Sequence, residues 1–287
     1  FFASGELNPN ITPEAIEELK KIYGLDKPLY IQFFSWIYSI LQLDFGISFT
    51  SGEKVKEEIL SRIPITLTIN IVSMILIFII SLYFGIKSAM KKNSIFDRFT
   101  NQLSLLSFSM PSFYLALVLV LVFSIKFELF PIAGLHSVPN DGSLNYYLDF
   151  AWHLTLPIFI IVFGGIGSLI LYIRALTIEI LKSDYIFFAR ARGLDNKKIL
   201  RYYILPNLYP PVITLLGLSL PGVIGGSVIL ETIFSIDGMG LLFYQSALSH
   251  DYPVIMGILI IGAFLTLIGN MFADLILLKL NPNYNEK

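Results

Sequence analysis

The sequence predicts an all-α, polytopic transmembrane helical bundle, and three observations predict it. Mean hydropathy is +0.73. Of the residues 55% are hydrophobic and only 14% charged, against roughly 25% charged in an ordinary soluble domain. The charges are gathered into a few stretches separated by long charge-free runs. Those runs are rich in Leu, Ile, Val and Phe on every face, whereas β-barrel strands would alternate over segments of about 10 residues. Without cysteine there is no disulfide framework and no thiolate metal site. The net charge of -1 says little about partners, because in a membrane protein the position of charges matters and their sum does not.

A spanning helix needs about 20 apolar residues. Ile63–Ile86, Phe99–Ile125, Leu154–Ile173, Tyr202–Leu230 and Tyr252–Ala273 qualify without a charge. They predict a membrane domain over 63–280 with spans at about 63–86, 99–125, 154–181, 202–230 and 252–278, a loop at 182–201 and a tail at 281–287. Lys and Arg accumulate in short loops on the cytoplasmic side. Lys87, Lys91, Lys92 and Arg98 follow the first span, and Lys182, Arg190, Arg192, Lys197, Lys198 and Arg201 follow the third. The loops 127–153 and 231–251 contain acids and neither Lys nor Arg. The alternation places the N-terminal segment outside and the C-terminus in the cytoplasm of a multi-pass protein.

The segment 1–62 is therefore expected to be extracytoplasmic. Thr12-Pro13-Glu14 has the form of a capped helix start leading through Ala15 to Tyr23 and stopping at Gly24. Leu29 to Leu43, with Tyr30, Trp36 and Tyr38, suits either a helix at the membrane interface or one packed on the bundle. The segment carries no export signal of its own, so a further, sixth span before Phe1 is expected to place it outside.

The catalytic and nucleotide signatures are missing. No Gly-Lys dipeptide occurs, so there is no GxxxxGK[ST] phosphate loop, and HExxH is absent. His136, His153 and His250 read as loop and helix-end residues unless the fold makes them converge. Arg174, Glu179, Lys126 and Asp274 lie near span ends, close enough to snorkel. No catalytic residue, cofactor site or metal site is expected in this chain.

The loop Lys182 to Arg201 carries the most information. It extends the third span, breaks at Gly193 and restarts with Asp195 as N-cap. Ile199, Leu200 and Tyr203 fall on one face, and Lys197, Lys198 and Arg201 on others. A short helix of this kind either docks into a groove on a partner or is a solvated basic loop.

At this loop the sequence resembles the cytoplasmic signature of ABC importer permeases, E-A-A, three residues, G, nine residues, I-x-L-P. Ala189, Gly193, Leu205 and Pro206 match, while Phe187, Phe188 and Tyr203 depart from it. Asp184, Tyr185, Ala189, Arg190, Ala191, Gly193 and Leu194 are similar to the form found in dipeptide, oligopeptide and nickel permeases. Further matches run in order along the chain from Tyr23, Asp44, Ser94, Ser109, Glu231 and Asp251. In the Glu231 block Asp237 stands where the family commonly has Pro.

The resemblance implies a type I ABC importer permease-like bundle in a bacterial cell membrane, surrounded by lipid and without nucleic acid. It implies a second homologous permease subunit, two ATP-binding-cassette ATPase subunits that bind ATP and Mg, and an extracytoplasmic substrate-binding protein. The chain would be a non-catalytic half of the pore. Asp184, Tyr185, Ala189, Arg190, Ala191, Gly193, Leu194, Leu205 and Pro206 would couple to an ATPase, with Ala189 and Leu194 against its groove. The glycines and prolines of the fourth span make it a pore-lining candidate, with Pro221, Gly222, Gly225, Gly226 and Glu231 as pore or gate residues. Peptide is the expected cargo from the breadth of the family, and nickel or a nickel chelate the alternative. A stand-alone secondary transporter or channel would show mid-membrane charges or inverted repeats, and neither is seen. An assembly protein without a transport role would show no ordered match to permeases.

Overall fold

A computed structural model describes residues 27–280. The expected helix at 15–23 with its Thr12 cap, and the tail 281–287, lie outside the described residues. In chain order the helices are α1 (Leu29–Leu41), α2 (Val55–Met90), α3 (Ile95–Ser109), α4 (Ser112–Leu119), α5 (Leu144–Leu181), α6 (Asp184–Ala191), α7 (Asn196–Ile199), α8 (Leu205–Gly225), α9 (Val228–Ile233), α10 (Met239–Leu248) and α11 (Tyr252–Leu280). π-helical turns at Val120–Lys126 and Leu200–Ile204 extend α4 and lead into α8. The fold class is all-helical, and α1 covers most of the stretch expected to be an interfacial or packed helix.

Among the described residues Val55–Met90, Leu144–Leu181 and Tyr252–Ile276 are long and apolar enough to cross a bilayer. The expected straight span Phe99–Ile125 is instead two helices, Ile95–Ser109 and Ser112–Lys126, at 99°. The cause is Met110-Pro111. The residue before a proline is pushed to extended backbone, and the proline has no N–H to continue the ladder; Met110 sits at φ -88 and ψ 120. The expected span Tyr202–Leu230 is likewise divided, because Gly226 at φ 64 ends α8 and Ser227 caps α9.

Small residues let the long helices approach. A Cβ on Gly85 would meet Ile173 at 2.8 Å and one on Gly167 would meet the Ser104 carbonyl at 2.5 Å, so α2 and α3 both lie close against α5. α8 packs along α11 and crosses α2. Apolar clusters fill both ends. One gathers Ile65, Ile69, Ile160 and Phe234, and the other Phe78, Ile173, Ile204 and Leu208.

Polar knots fix the two ends. At one, Asp97 of α3 takes a bidentate bond from Arg174 of α5, Nε to Oδ1 at 2.7 Å and Nη2 to Oδ2 at 2.9 Å. The Ser88 hydroxyl and the Asn93 N–H also donate to it. Arg174 therefore does not snorkel to solvent as the sequence suggested, because its carboxylate partner lies within reach inside the bundle. At the other end Glu231, 4% exposed, accepts the Leu241 N–H at 2.8 Å. Its carboxylate is enclosed by Gly226, Gly238 and Gly240, and a Cβ on Gly238 would come within 2.6 Å of Oε2. Thr66 of α2 closes this cage by accepting the Met239 N–H at 2.9 Å. Asp237 leaves the turn intact where the permease pattern has Pro, and pairs with Arg62 at 2.8 Å.

Two tests follow from these knots. Asp97→Ala strands a largely buried guanidinium, and breaking such a pair costs about 3–5 kcal/mol; the variant should melt well below the parent in detergent, and Asp97→Leu with Arg174→Met should recover most of the loss. Equal melting of parent and Asp97→Ala would refute the knot. Gly238 has φ -108, open to any residue, so Gly238→Ala acts by overlap, with the Glu231 carboxylate at 2.6 Å and with the Thr66 hydroxyl at 2.8 Å. It should cost about 1–3 kcal/mol, and less in a Glu231→Ala background. An equal penalty in both backgrounds would place its cause elsewhere.

Candidate functional site

The loop between α5 and α8 is built by local chemistry. α6 ends at Arg192, and Gly193 at φ +79 turns the chain. The Gly193 N–H bonds the Arg190 carbonyl at 2.9 Å and the Leu194 N–H the Ala189 carbonyl at 3.2 Å, the double closure of a Schellman motif. No atom lies within 4 Å of a Cβ built on Gly193, so the glycine is needed for its left-handed backbone and not for space. Asp195 then caps α7, its Oδ1 accepting the Lys198 N–H at 2.8 Å. Asp184 stands in the first turn of α6, where the helix dipole favours a carboxylate.

The loop has two faces. Ile186, Ala189, Ile199 and Ile204 are buried, with Leu194, Leu200 and Tyr203 packed on the same cluster beneath the ends of α2, α5 and α8. Ala189, at 2% exposure, is packed inside the chain, and Leu194 is half-buried against the same cluster. The same holds for the face of Ile199, Leu200 and Tyr203, because the π-helical turn rotates it toward α8. What faces outward is Phe187 (70% exposed) and Phe188 (62%), with Tyr202 beside exposed Arg190, Arg192, Lys197, Lys198 and Arg201. Tyr185 stacks on Tyr203 at 6.2 Å. Ala191 and Pro206 are exposed and Leu205 half-buried.

Of the expected pore residues, the structure joins Gly226 and Glu231 in the cage and puts Gly222 elsewhere, on a cleft of about 570 Å3 between α2, α5 and α8. Pro221 and Gly225 lie on α8. The sequence search followed charges and missed the polar wall of this cleft. Spacing could have found it. Asn70, Ser73 and Ile77 form one stripe of α2, Gly165, Ser168 and Tyr172 one of α5, and Leu215, Ser219 and Gly222 one of α8, each at intervals of three or four residues.

At the Glu231 end, burial pushes the Glu231 carboxyl up, an effect the Leu241 and Gly240 N–H groups partly offset. Burial also acts to raise Asp251, but the Ser48 hydroxyl and the Phe49 and Thr50 N–H groups outweigh it and hold the carboxyl below its ordinary value. That contact ties the 48–50 turn to the start of α11. His136 and His153 do converge, both on Asp149, at 3.7 and 3.5 Å. His153 is occupied by the Asp149 carbonyl and Ser137, and among the described residues no group of three such side chains has metal-holding geometry.

Comparison with known proteins places these features in one family. Residues 81–286 match the family described as binding-protein-dependent transport system inner membrane component, and residues 3–70 its N-terminal region. The oligopeptide transport system permease protein AppB of Bacillus subtilis is 36% identical over 277 residues, 96% of this chain and 87% of that one. The dipeptide transport system permease protein DppB of Lactococcus lactis is 33% identical over 96% of this chain and 87% of that one. The metal-staphylopine import system permease protein CntB of Staphylococcus aureus is 31% identical over 97% and 85%. A chain of the inward-facing MetNI methionine ABC transporter shares the fold, with TM-score 0.61 and 17% identity over 77% of this chain and 95% of that one. The chain belongs to the binding-protein-dependent transport system inner membrane components, and is a non-catalytic, multi-pass permease subunit of an ABC importer.

Proposed function

We propose that the chain forms half of a translocation pore for peptides and transmits the work of partner ATPases through the loop around Gly193. The carrying observation is the division of that loop into an inward apolar face welded to α2, α5 and α8 and an outward face of Phe187, Phe188 and cations. A push on the outer face moves the long helices, because the inner face has no slack. In this reading five spans cross the membrane, the 99° pair and α8 among them. The loop is cytoplasmic, and the Glu231 end meets a substrate-binding protein outside. Two ATPase subunits and a second homologous permease complete the complex, with ATP and Mg on the ATPases. The oligopeptide and dipeptide relatives support peptide as cargo. The metal-staphylopine relative supports a second reading, the same architecture carrying a metal chelate.

Orientation and coupling are separately testable. The chain lacks cysteine, so single cysteines at exposed Ser51 and Asn196 report topology directly. A membrane-impermeant thiol reagent on intact cells should label the first only, and labelling at Asn196 would invert the assignment. Gly193→Val forces a side chain into left-handed backbone at roughly 1–2 kcal/mol and should displace the outer face of the loop. Phe188→Asp changes that face without touching the inner packing. Both should copurify less ATPase, or lose stimulation of hydrolysis by the loaded binding protein. Wild-type copurification and stimulation in both variants would remove the loop from coupling.

A further inference from the structure

The cleft between α2, α5 and α8 lies near the middle of all three helices, and its volume of about 570 Å3 falls in the range of about 300–1,000 Å3 typical of small-ligand sites. Its polar groups are Asn70, Ser73, Ser168, Tyr172 and Ser219, and among the described residues no Asp, Glu, Lys, Arg or His lines it. Ser168, Tyr172 and Ser219 are exposed there, in the middle parts of the helices. The Ser219 hydroxyl donates to the Leu215 carbonyl at 2.7 Å; hydrocarbon offers no bond to the remaining capacity of these groups, so polar side chains at this depth face a cavity or a bundle interior. Ser73 is 1% exposed, and its hydroxyl has no partner among the described residues. A buried hydroxyl in that state is unfavourable unless something entering the cleft supplies the bond.

We infer that this cleft is a transit site that holds cargo through its amide groups and does not read cargo charge. The inference rests on the importer reading above and adds the site and its chemistry to it. Hydroxyls and a carboxamide both donate and accept, which matches the N–H and C=O carried by each peptide unit. An ionic group would find no counter-charge in this wall and must keep its water. A metal ion would find neither imidazole nor carboxylate, so it could pass only inside a closed chelate.

The test uses the full complex of permeases, ATPases and binding protein in vesicles, with short alanine peptides as probe. Reaction of Ser168→Cys or Ser219→Cys with a polar methanethiosulfonate should abolish uptake while binding-protein-stimulated ATP hydrolysis persists. The same reagent on Ile79→Cys, exposed on α2 away from the cleft, should leave uptake unchanged. Ser73→Ala should slow uptake several-fold, and Ser73→Thr, which keeps the hydroxyl, should restore it. Uptake that survives modification at both cysteines overturns the site. Uptake of a nickel–histidine chelate but not of alanine peptides overturns the ligand class. Failure of the unmodified chain to assemble with ATPases overturns the importer reading itself, and the assembly assay distinguishes that result from the other two.

Discussion

In hydrocarbon no water is present to satisfy a backbone N–H or C=O, so a chain crossing it must close those bonds internally at every residue. The helices of this protein meet that constraint along their length, and the interruptions show how it is met where helix fails. At Met110-Pro111 the ladder stops, and the Pro111 carbonyl is taken up by the Leu115 N–H at the start of the next helix. At Gly226 the chain turns outward and α9 begins under a Ser227 cap. There the Glu231 carboxylate collects the Leu241 N–H from the first turn of α10. A charged side chain thus completes the donors that a helix start leaves open. The glycines around it are the space the carboxylate occupies.

The other end of the bundle applies the same logic to side chains. Asp97 is removed from water, but it accepts from Arg174, Ser88 and Asn93 together. A network satisfied at every member fixes a single arrangement of the elements that contribute to it. Those elements are the end of α2, the turn after it, α3 and α5. Two of them, α2 and α5, also carry the α6–α7 loop together with α8, so the loop's inner face rests in part on elements that the knot holds in place. Between the two knots the cleft wall is made of three stripes, and among the described residues none of its lining side chains is ionisable at neutral pH.

The loop around Gly193 was legible in the sequence because its geometry is local. Gly193 and Asp195 sit where a left-handed turn and an N-cap must follow a helix end, and the structure places both there. The faces of the loop were not legible in the same way. Periodicity put Ile199, Leu200 and Tyr203 on one side, but whether that side met a partner or the chain itself depended on α2, α5 and α8 closing over it. The burial of Ala189 inside the bundle was not legible for the same reason. The cleft was missed because the search weighed charge, while its wall is built from serines, one asparagine and one tyrosine.

By itself, then, the sequence determined what short-range chemistry and the bilayer dictate. These are helices in place of strands, the positions of the long apolar runs, the segregation of basic and acidic loops, and the caps around Gly193. Only the tertiary structure decided which polar groups find each other. Asp97 and Arg174 are 77 residues apart, Thr66 and Met239 173 apart, and Ser48 and Asp251 203 apart. Nothing local distinguishes these partners from other residues of the same kind. Their pairing follows from how closely helices approach at Gly85 and Gly167 and where they break at Pro111 and Gly226, which is a property of the packed bundle.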